Sequence, residues 1–547
     1  MREFAMRAIL LGLGLTVAAG PSVAAQPLPA YTAAVDSIFA EQKRTAGPGC
    51  AVGVSRDGQI ELARGYGLAD LESGALIGPV TIFNIGSTSK QFVTFAIQLL
   101  ADEGKLRLDD DVRRYLPELP DLGGPIRISH LMHHTSGLRD YASLLSMTGW
   151  RGGDQFDEAR VLALIAGQRR LNFEPGRAYL YSNTGYVLLA TIVTRVSGVP
   201  WEIFAAERIF GPLGMTRSSV RGNPFEIVKG RALGYSPSGR GAWRLDQPNH
   251  AIVGSTAVMT TVEDLARWTG NYWNPVVGNR RLIERMRERA VLASGDTVSY
   301  ASGITVDRYR GVDVLHHGGA GGYRAQLLQF PGDRVGIAVL CNGGNANPDR
   351  LARLVADRVV TGLGPVPELR TAEPVAAEEA AALIGTYRDP SNDALIRVTQ
   401  TTNGLTMQGG AGGAIRSLGA ERLLMGDSEV RVERGSRGEP VALVVGDGGT
   451  RYLRQAPAAT EPRQLSRYVG AYRSGELDRT WWVELRGSEL WLVQRSLAPI
   501  QLEPVFEHGY RAAGTTVRFV MSRAGRATAV LASNGRANLV EFPRVSE

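Results

Sequence analysis

At 547 residues the chain is too long for one ordinary hydrophobic core, and two to four domains are expected. Its 44% hydrophobic and 21% charged content describes a globular protein and excludes a disordered or fibrous one. The formal charge of +7 does not point to nucleic acid, because the arginines are scattered beside acids, as in Arg281, Glu284, Arg285, Arg287 and Glu288, with no basic tract interleaved with aromatics.

Residues 1–25 read as an export signal, with Arg2 and Arg7 ahead of the apolar run Ala8 to Ala19 and small residues at Val23-Ala24-Ala25. The run is short for a membrane span, so the mature protein is expected in the periplasm or outside the cell, without a membrane partner. A helix over Thr32 to Gln42 follows. Cys50–Val54 and Ile60–Tyr66 then read as two strands joined at Asp57-Gly58, a hairpin signal. The two cysteines, Cys50 and Cys341, fit no metal spacing; an oxidising compartment would permit a bridge, but two buried free thiols are the expectation.

Phe83 to Leu100 places Phe92, Phe95, Ala96, Leu99 and Leu100 at helical spacing, apolar around much of the girth and hence buried. Ser87 and Lys90 stand three residues apart at its start and share one face. Burial and the positive end of the helix both favour a neutral amine, which can take a proton from a hydroxyl. Ser87 also suits a plain helix cap and Lys90 a solvated first turn. Composition bears on the choice: only Lys43, Lys90, Lys105 and Lys229 are lysines, against 57 arginines, and arginine does not deprotonate in proteins.

Ile128 to Leu138 reads as a short helix running into a turn, its three histidines lacking acidic or cysteine partners at metal spacing. Between helical stretches at Phe156–Gln168 and Tyr186–Val196 lies Tyr181-Ser182-Asn183, which offers a phenol, a hydroxyl and an amide, or simply a cap for the second helix. Strands at Val312–His317, Ala325–Phe330 and Val335–Cys341 follow, the last two joined by Pro331-Gly332-Asp333. Two strands, many helices, then three strands imply an α+β fold whose antiparallel sheet is assembled from both ends of the domain.

Beyond a polar linker at residues 364–378, Leu383-Ile384-Gly385-Thr386-Tyr387-Arg388 recurs as Tyr468-Val469-Gly470-Ala471-Tyr472-Arg473, and Val398 and Leu405 recur at the same offset as Val483 and Leu490. Two related all-β barrel modules are expected, at 379–458 and 459–547.

With Ser87-x-x-Lys90, Tyr181-Ser182-Asn183 and His316-His317-Gly318 in order, and with Glu174-Pro175-Gly176 between, the chain resembles the serine β-lactamase-like family over roughly Tyr31 to Arg358, within 26–363. That family includes class C β-lactamases, DD-peptidases, D-aminopeptidases and esterases. The resemblance implies that Ser87 is acylated, that Lys90 and Tyr181 handle its proton, and that Asn183 bonds substrate or Lys90. It implies an oxyanion hole from the amides of Ser87 and Gly319, and substrate contacts from His316, Gly318 and Gly319. His316 leads the third motif if Gly322-Tyr323 fills the family's Gly-aromatic position; a frame led by His317 stays open. A histidine where β-lactamases carry lysine makes efficient β-lactam hydrolysis a poor expectation. The layout resembles bacterial serine D-aminopeptidases, in which a loop from the last barrel reaches the site; here Ser474–Arg479 and Glu507–Tyr510 are the candidates, each with an acid for a substrate amine. No metal or cofactor is implied. The function expected is a secreted D-aminopeptidase-like hydrolase of small amides or peptides, with an esterase or a non-catalytic peptidoglycan-fragment sensor as alternatives. Oligomeric state is not legible.

Overall fold

The computed structural model describes residues 28–546 apart from 45, 152–153, 240, 320, 367–371, 410–411, 420, 427, 447–448 and 496. The export signal expected at 1–25 lies outside the described residues. After helix α1 (Thr32–Ile38) come β1 (Cys50–Arg56) and β2 (Gln59–Tyr66), then the long helices α2 (Lys90–Asp102), α3 (Asn183–Ser197) and α4 (Val262–Trp273). Strands β3 (Thr305–Tyr309), β4 (Val312–Gly319), β5 (Arg324–Phe330) and β6 (Val335–Cys341) and helix α5 (Pro348–Val359) complete the domain. The strands form one six-stranded antiparallel sheet in the order β2-β1-β6-β5-β4-β3, so the first and last segments meet at its centre.

Alternation along the strands divides two cores. Val52, Val54, Leu328, Ile337 and Val339 face α1 and α5, while Ala51, Leu315, Leu327, Ala338 and Leu340 face α2, α3 and α4. Gly53 permits the close approach of α4, since a Cβ there would stand 2.8 Å from Val262 Cβ. Pairing β1 with β6 sets Cys50 opposite Cys341, and the two form a disulfide across 291 residues. The expectation of free thiols is thereby corrected. Their partnership depends on the register of strands from opposite ends of the domain, which neither local stretch specifies.

Eight strands between Gly385 and Arg454 close into a barrel, and Glu373–Pro374, within the expected linker, pairs with its strand Gly413–Gly419. The second module has sheets of four and five strands between Gly470 and Pro543, meeting where Tyr472 pairs with Arg544. The repeat is structural as well as sequential. Gly385 pairs with Val398 as Gly470 pairs with Val483, and the hydroxyls of Tyr387 and Tyr472 donate to the carbonyls of Leu383 and Tyr468, at 2.9 and 2.6 Å.

The modules differ in how they are held. The first has its own core, whereas the second shares a continuous core with the domain built on the six-stranded sheet. Trp481 Nε1 donates to Met147 O at 3.1 Å, and Arg139, buried between the two, forms an ion pair with Glu476 while donating to Gln168 Oε1, Asn538 O and Leu539 O.

A disulfide-free Cys50→Ala/Cys341→Ala protein is expected to keep its fold but lose about 2–5 kcal/mol of stability, read as a lowered unfolding midpoint. Glu476→Gln, which strands the Arg139 charge in the interface, is expected to cost about 3–5 kcal/mol, whereas an Arg139→Met/Glu476→Leu pair recovers most of it. Denaturant melts of the three proteins would measure both differences.

Candidate active site

Ser87 lies on a short 3-10 turn, Gly86–Ser89, that leads into α2. Gly86 has a φ of 52°, a left-handed conformation that suits glycine, and its N–H donates to Asn84 Oδ1 at 2.8 Å. Thr88 Oγ1 donates to His317 O at 3.2 Å and ties this turn to the end of β4. No side-chain cap bond comes from Ser87 or Ser89, so the capping alternative does not describe this helix start.

Lys90 begins α2 and is fully buried. Its Nζ lies 2.9 Å from Ser87 Oγ, 2.9 Å from Asn183 Oδ1 and 2.8 Å from Ser255 O. Desolvation holds the amine well below its ordinary pKa; the Asp140 carboxylate opposes this and the Arg536 guanidinium adds to it. The partner set has a chemical consequence. Asn183 Oδ1 and Ser255 O only accept, so they take the two N–H groups of a neutral amine. Its lone pair is left for the O–H of Ser87.

Tyr181, on the extended approach to α3, is hydrogen-bonded to Ser87, the phenol O–H donating to Oγ while the Ser87 hydroxyl faces Lys90. Burial lifts its phenol above the ordinary range, opposed by the Ser87 hydroxyl and by Arg536, so at neutral pH the phenol keeps its proton. Lys90 is thus the base of the pair. The segment is pinned through its backbone: Ser182 N donates to His134 Nδ1 at 3.1 Å and Asn183 N to Asp140 Oδ2 at 2.6 Å. The His134 ring lies 4.2 Å from that of Tyr181. Asn183 is therefore the first residue of the helix, with its side chain turned to Lys90.

The third motif departs from the expected frame. On β4 the side chains alternate, and His317 faces the site with Leu315 while His316 faces the other layer. His316 Nε2 is 3.8 Å from Asp307 and feels Arg353, away from Ser87. His317 is buried, with Nε2 3.0 Å from Tyr300 Oη and Nδ1 2.7 Å from Gly318 O. Burial, aided by Lys90, pushes its pKa down to about 3, so it is neutral near pH 7. Gly318 follows it toward the strand end. Gly319 must be glycine, because a Cβ would stand 2.2 Å from Ile85 O and 3.0 Å from Gly86 Cα, and this closeness brings its amide to the corner that holds Ser87.

Ser87, Asn183, Tyr141, Asp246, Ser255 and Gly322 line a cleft of about 400 Å³. A larger cleft, about 1080 Å³, lies between this domain and the second module and shares Trp150 and Asn249 with the first cleft, but is not lined by Ser87, Lys90, Tyr181 or Asn183. Neither expected loop delivers an acid to the cleft at Ser87, and Asp478 lines the larger one instead. Glu476 is consumed by Arg139, and Glu507 to Tyr510 pack within the barrel, where Glu507 N donates to Ala456 O and His508 meets Tyr468. The turn that arrives is the one carrying Arg536, whose guanidinium lies 4.8 Å from the Tyr181 ring centroid. Sequence reasoning missed Asp140, Ser255, Tyr300 and Arg536; Asp140 alone has a local signal, as the cap of the helix Tyr141–Met147.

The rate of Ser87 acylation is expected to fall about tenfold per pH unit below the native pKa of Lys90, with His317 silent above about pH 4. Lys90→Arg removes the limb together with the activity. Stability has the same sign: the native amine is the less protonated, so unfolding takes up a proton, and stability is full above the unfolded lysine pKa and lost as pH falls toward the native one. Lys90→Met flattens that dependence in melts between pH 6 and 10.

Over residues 35–361 the chain matches the family model described as Beta-lactamase. It is 28% identical over 453 residues to a D-aminopeptidase of Gluconobacter oxydans, covering 81% of this chain and 82% of that protein. It is also 28% identical over 301 residues to Penicillin-binding protein 4* of Bacillus subtilis, covering 52% of this chain and 66% of that one. The octameric penicillin-binding protein homologue from Pyrococcus abyssi shares its fold, with a TM-score of 0.54 at 21% identity over 89% of this chain and 97% of that one. With a match extending over more than half its length, the chain belongs to the Beta-lactamase family of serine hydrolases.

Proposed function

We propose that the chain is an exported D-aminopeptidase-like hydrolase that acylates Ser87 with the N-terminal residue of a small amide or peptide. The observation that carries this is the Lys90 amine 2.9 Å from Ser87 Oγ, with its other two partners fixed as acceptors. Lys90 takes the Ser87 proton as Oγ bonds to the substrate carbonyl carbon. The oxyanion faces the amides of Ser87 and Gly319, an arrangement whose loss costs about 3–4 kcal/mol. The proton passes from Lys90 through the Tyr181 phenol to the departing nitrogen as the C–N bond breaks. Water then adds to the ester carbonyl as Lys90 accepts its proton, and Lys90 returns that proton to Ser87 Oγ as the ester C–O bond breaks and the acid departs.

Support for the substrate class comes from relatives named D-aminopeptidase and from the cleft itself. A free α-ammonium needs a carboxylate, and Asp246, half-buried and hydrogen-bonded by Ser236, lines the same cleft as Ser87. It takes the part that the barrel loops were expected to play. The neutral His317 gives no fixed charge for a β-lactam carboxylate. The Cys50–Cys341 bond supports export, because such bonds persist in oxidising compartments.

D-Alanine p-nitroanilide should be hydrolysed and Ser87→Ala should abolish the reaction. A Ser87-dependent rate on p-nitrophenyl butyrate alone would favour the esterase, and a wild type that gains no mass with a fluorophosphonate would favour the sensor. Asp246→Asn is expected to lower the ratio of kcat/KM on D-alanine p-nitroanilide to that on p-nitrophenyl butyrate by about tenfold, the loss of roughly one charge-assisted hydrogen bond.

A further inference from the structure

Arg536 stands in the turn between the last two strands, Ala527–Asn534 and Ala537–Pro543. Its backbone secures the turn to the catalytic domain: the carbonyl accepts from Asp140 N at 3.0 Å and from Asn172 Nδ2 at 2.9 Å. The side chain has no such commitment. It is exposed, it lies over Tyr181, and among the described residues no carboxylate is within ion-pair distance of it. Asp140, the nearby acid, is occupied by the amides of Asn183 and Ala142.

An unpaired guanidinium at the mouth of a site is an anion receptor of fixed geometry. Its side of the site follows from Tyr181. The phenol hands the proton to the departing nitrogen, so a group over the phenol ring borders the leaving group, while Asp246 belongs to the acyl side. In a peptide the carboxylate carbon of the leaving residue is two bonds, about 2.5 Å, from that nitrogen. With His317 neutral, β4 supplies no charge for it.

We propose that Arg536, contributed by the second C-terminal module, binds the free carboxylate of the leaving group and makes the enzyme prefer short peptides with an unblocked C-terminus. The proposal rests on the acyl-enzyme reading of Ser87 and adds the identity of the released half.

Two substrate pairs test it: D-Ala-D-Ala against its C-terminal amide, and 3-(butyryloxy)benzoate against phenyl butyrate. Each pair shares an acyl group and differs by the carboxylate on the leaving group. Wild type should favour the charged member of a pair it turns over by about tenfold in kcat/KM, chiefly through KM, and less so at high salt. Arg536→Gln should bring that ratio near one and Arg536→Lys should keep part of it. Taking the ratio at one pH cancels any effect of the charge on Lys90, and the anchoring carbonyl survives both substitutions, as matching melting midpoints would verify. Turnover with no preference in wild type, or a preference that Arg536→Gln retains, overturns the proposal and leaves the acyl-enzyme intact. Failure of wild type to be phosphonylated by a fluorophosphonate and to turn over either pair overturns both.

Discussion

A lysine amine sealed from water and bracketed by two oxygens that can only accept is the constraint to which the rest of this site answers. A buried amine without a carboxylate partner is costly to ionise, and its burial is enforced from several directions. Helix α2 carries Lys90 into the core, α3 presents Asn183, and the loop before α4 turns the Ser255 carbonyl toward Nζ. Gly303 lets the chain after Tyr300 press against the same turn of α2; a Cβ there would come within 2.7 Å of Lys90 O. A well-packed apolar residue at this position would avoid the desolvation that the arrangement imposes, so packing alone does not account for Lys90.

The two C-terminal modules descend from one pattern yet hold different positions in the molecule. Both keep the same tyrosine-to-carbonyl bond four residues back and the same opening glycine, whose neighbour in space is an arginine, Arg454 in one and Arg544 in the other. The first closes around its own interior. The second extends the core of the catalytic domain and pays for the junction with a buried charge pair, Arg139 and Glu476, one residue away from Asp140. That adjacency matters, because Asp140 orients Asn183 through the backbone and receives the turn that carries Arg536. Docking of the second module and organisation of the site are thus one set of contacts.

Much of this was legible in the chain. The strand pair at Asp57-Gly58 and the long buried helix follow from periodicities that act over a few residues, and the internal repeat from comparing one stretch of chain with another, so all three can be read without knowing what lies across the fold. Ser87, Lys90, Tyr181 and Asn183 were likewise recoverable as an ordered set, and the geometry brings those four together. The strand alternation at His316-His317 was readable only as two frames, because a one-residue shift exchanges the faces of a strand and the local sequence is histidine in both positions.

The sequence by itself determined the local elements, the rarity of lysine and the order of the polar motifs, since these depend on neighbours along the chain. Tertiary structure alone decided that Cys50 meets Cys341, that His317 rather than His316 turns inward, and that an arginine near the C-terminus reaches Tyr181. Each of those depends on which distant strands pair and how two domains dock, and the free energy that selects such contacts is spread over the buried faces of many elements rather than written in any one of them.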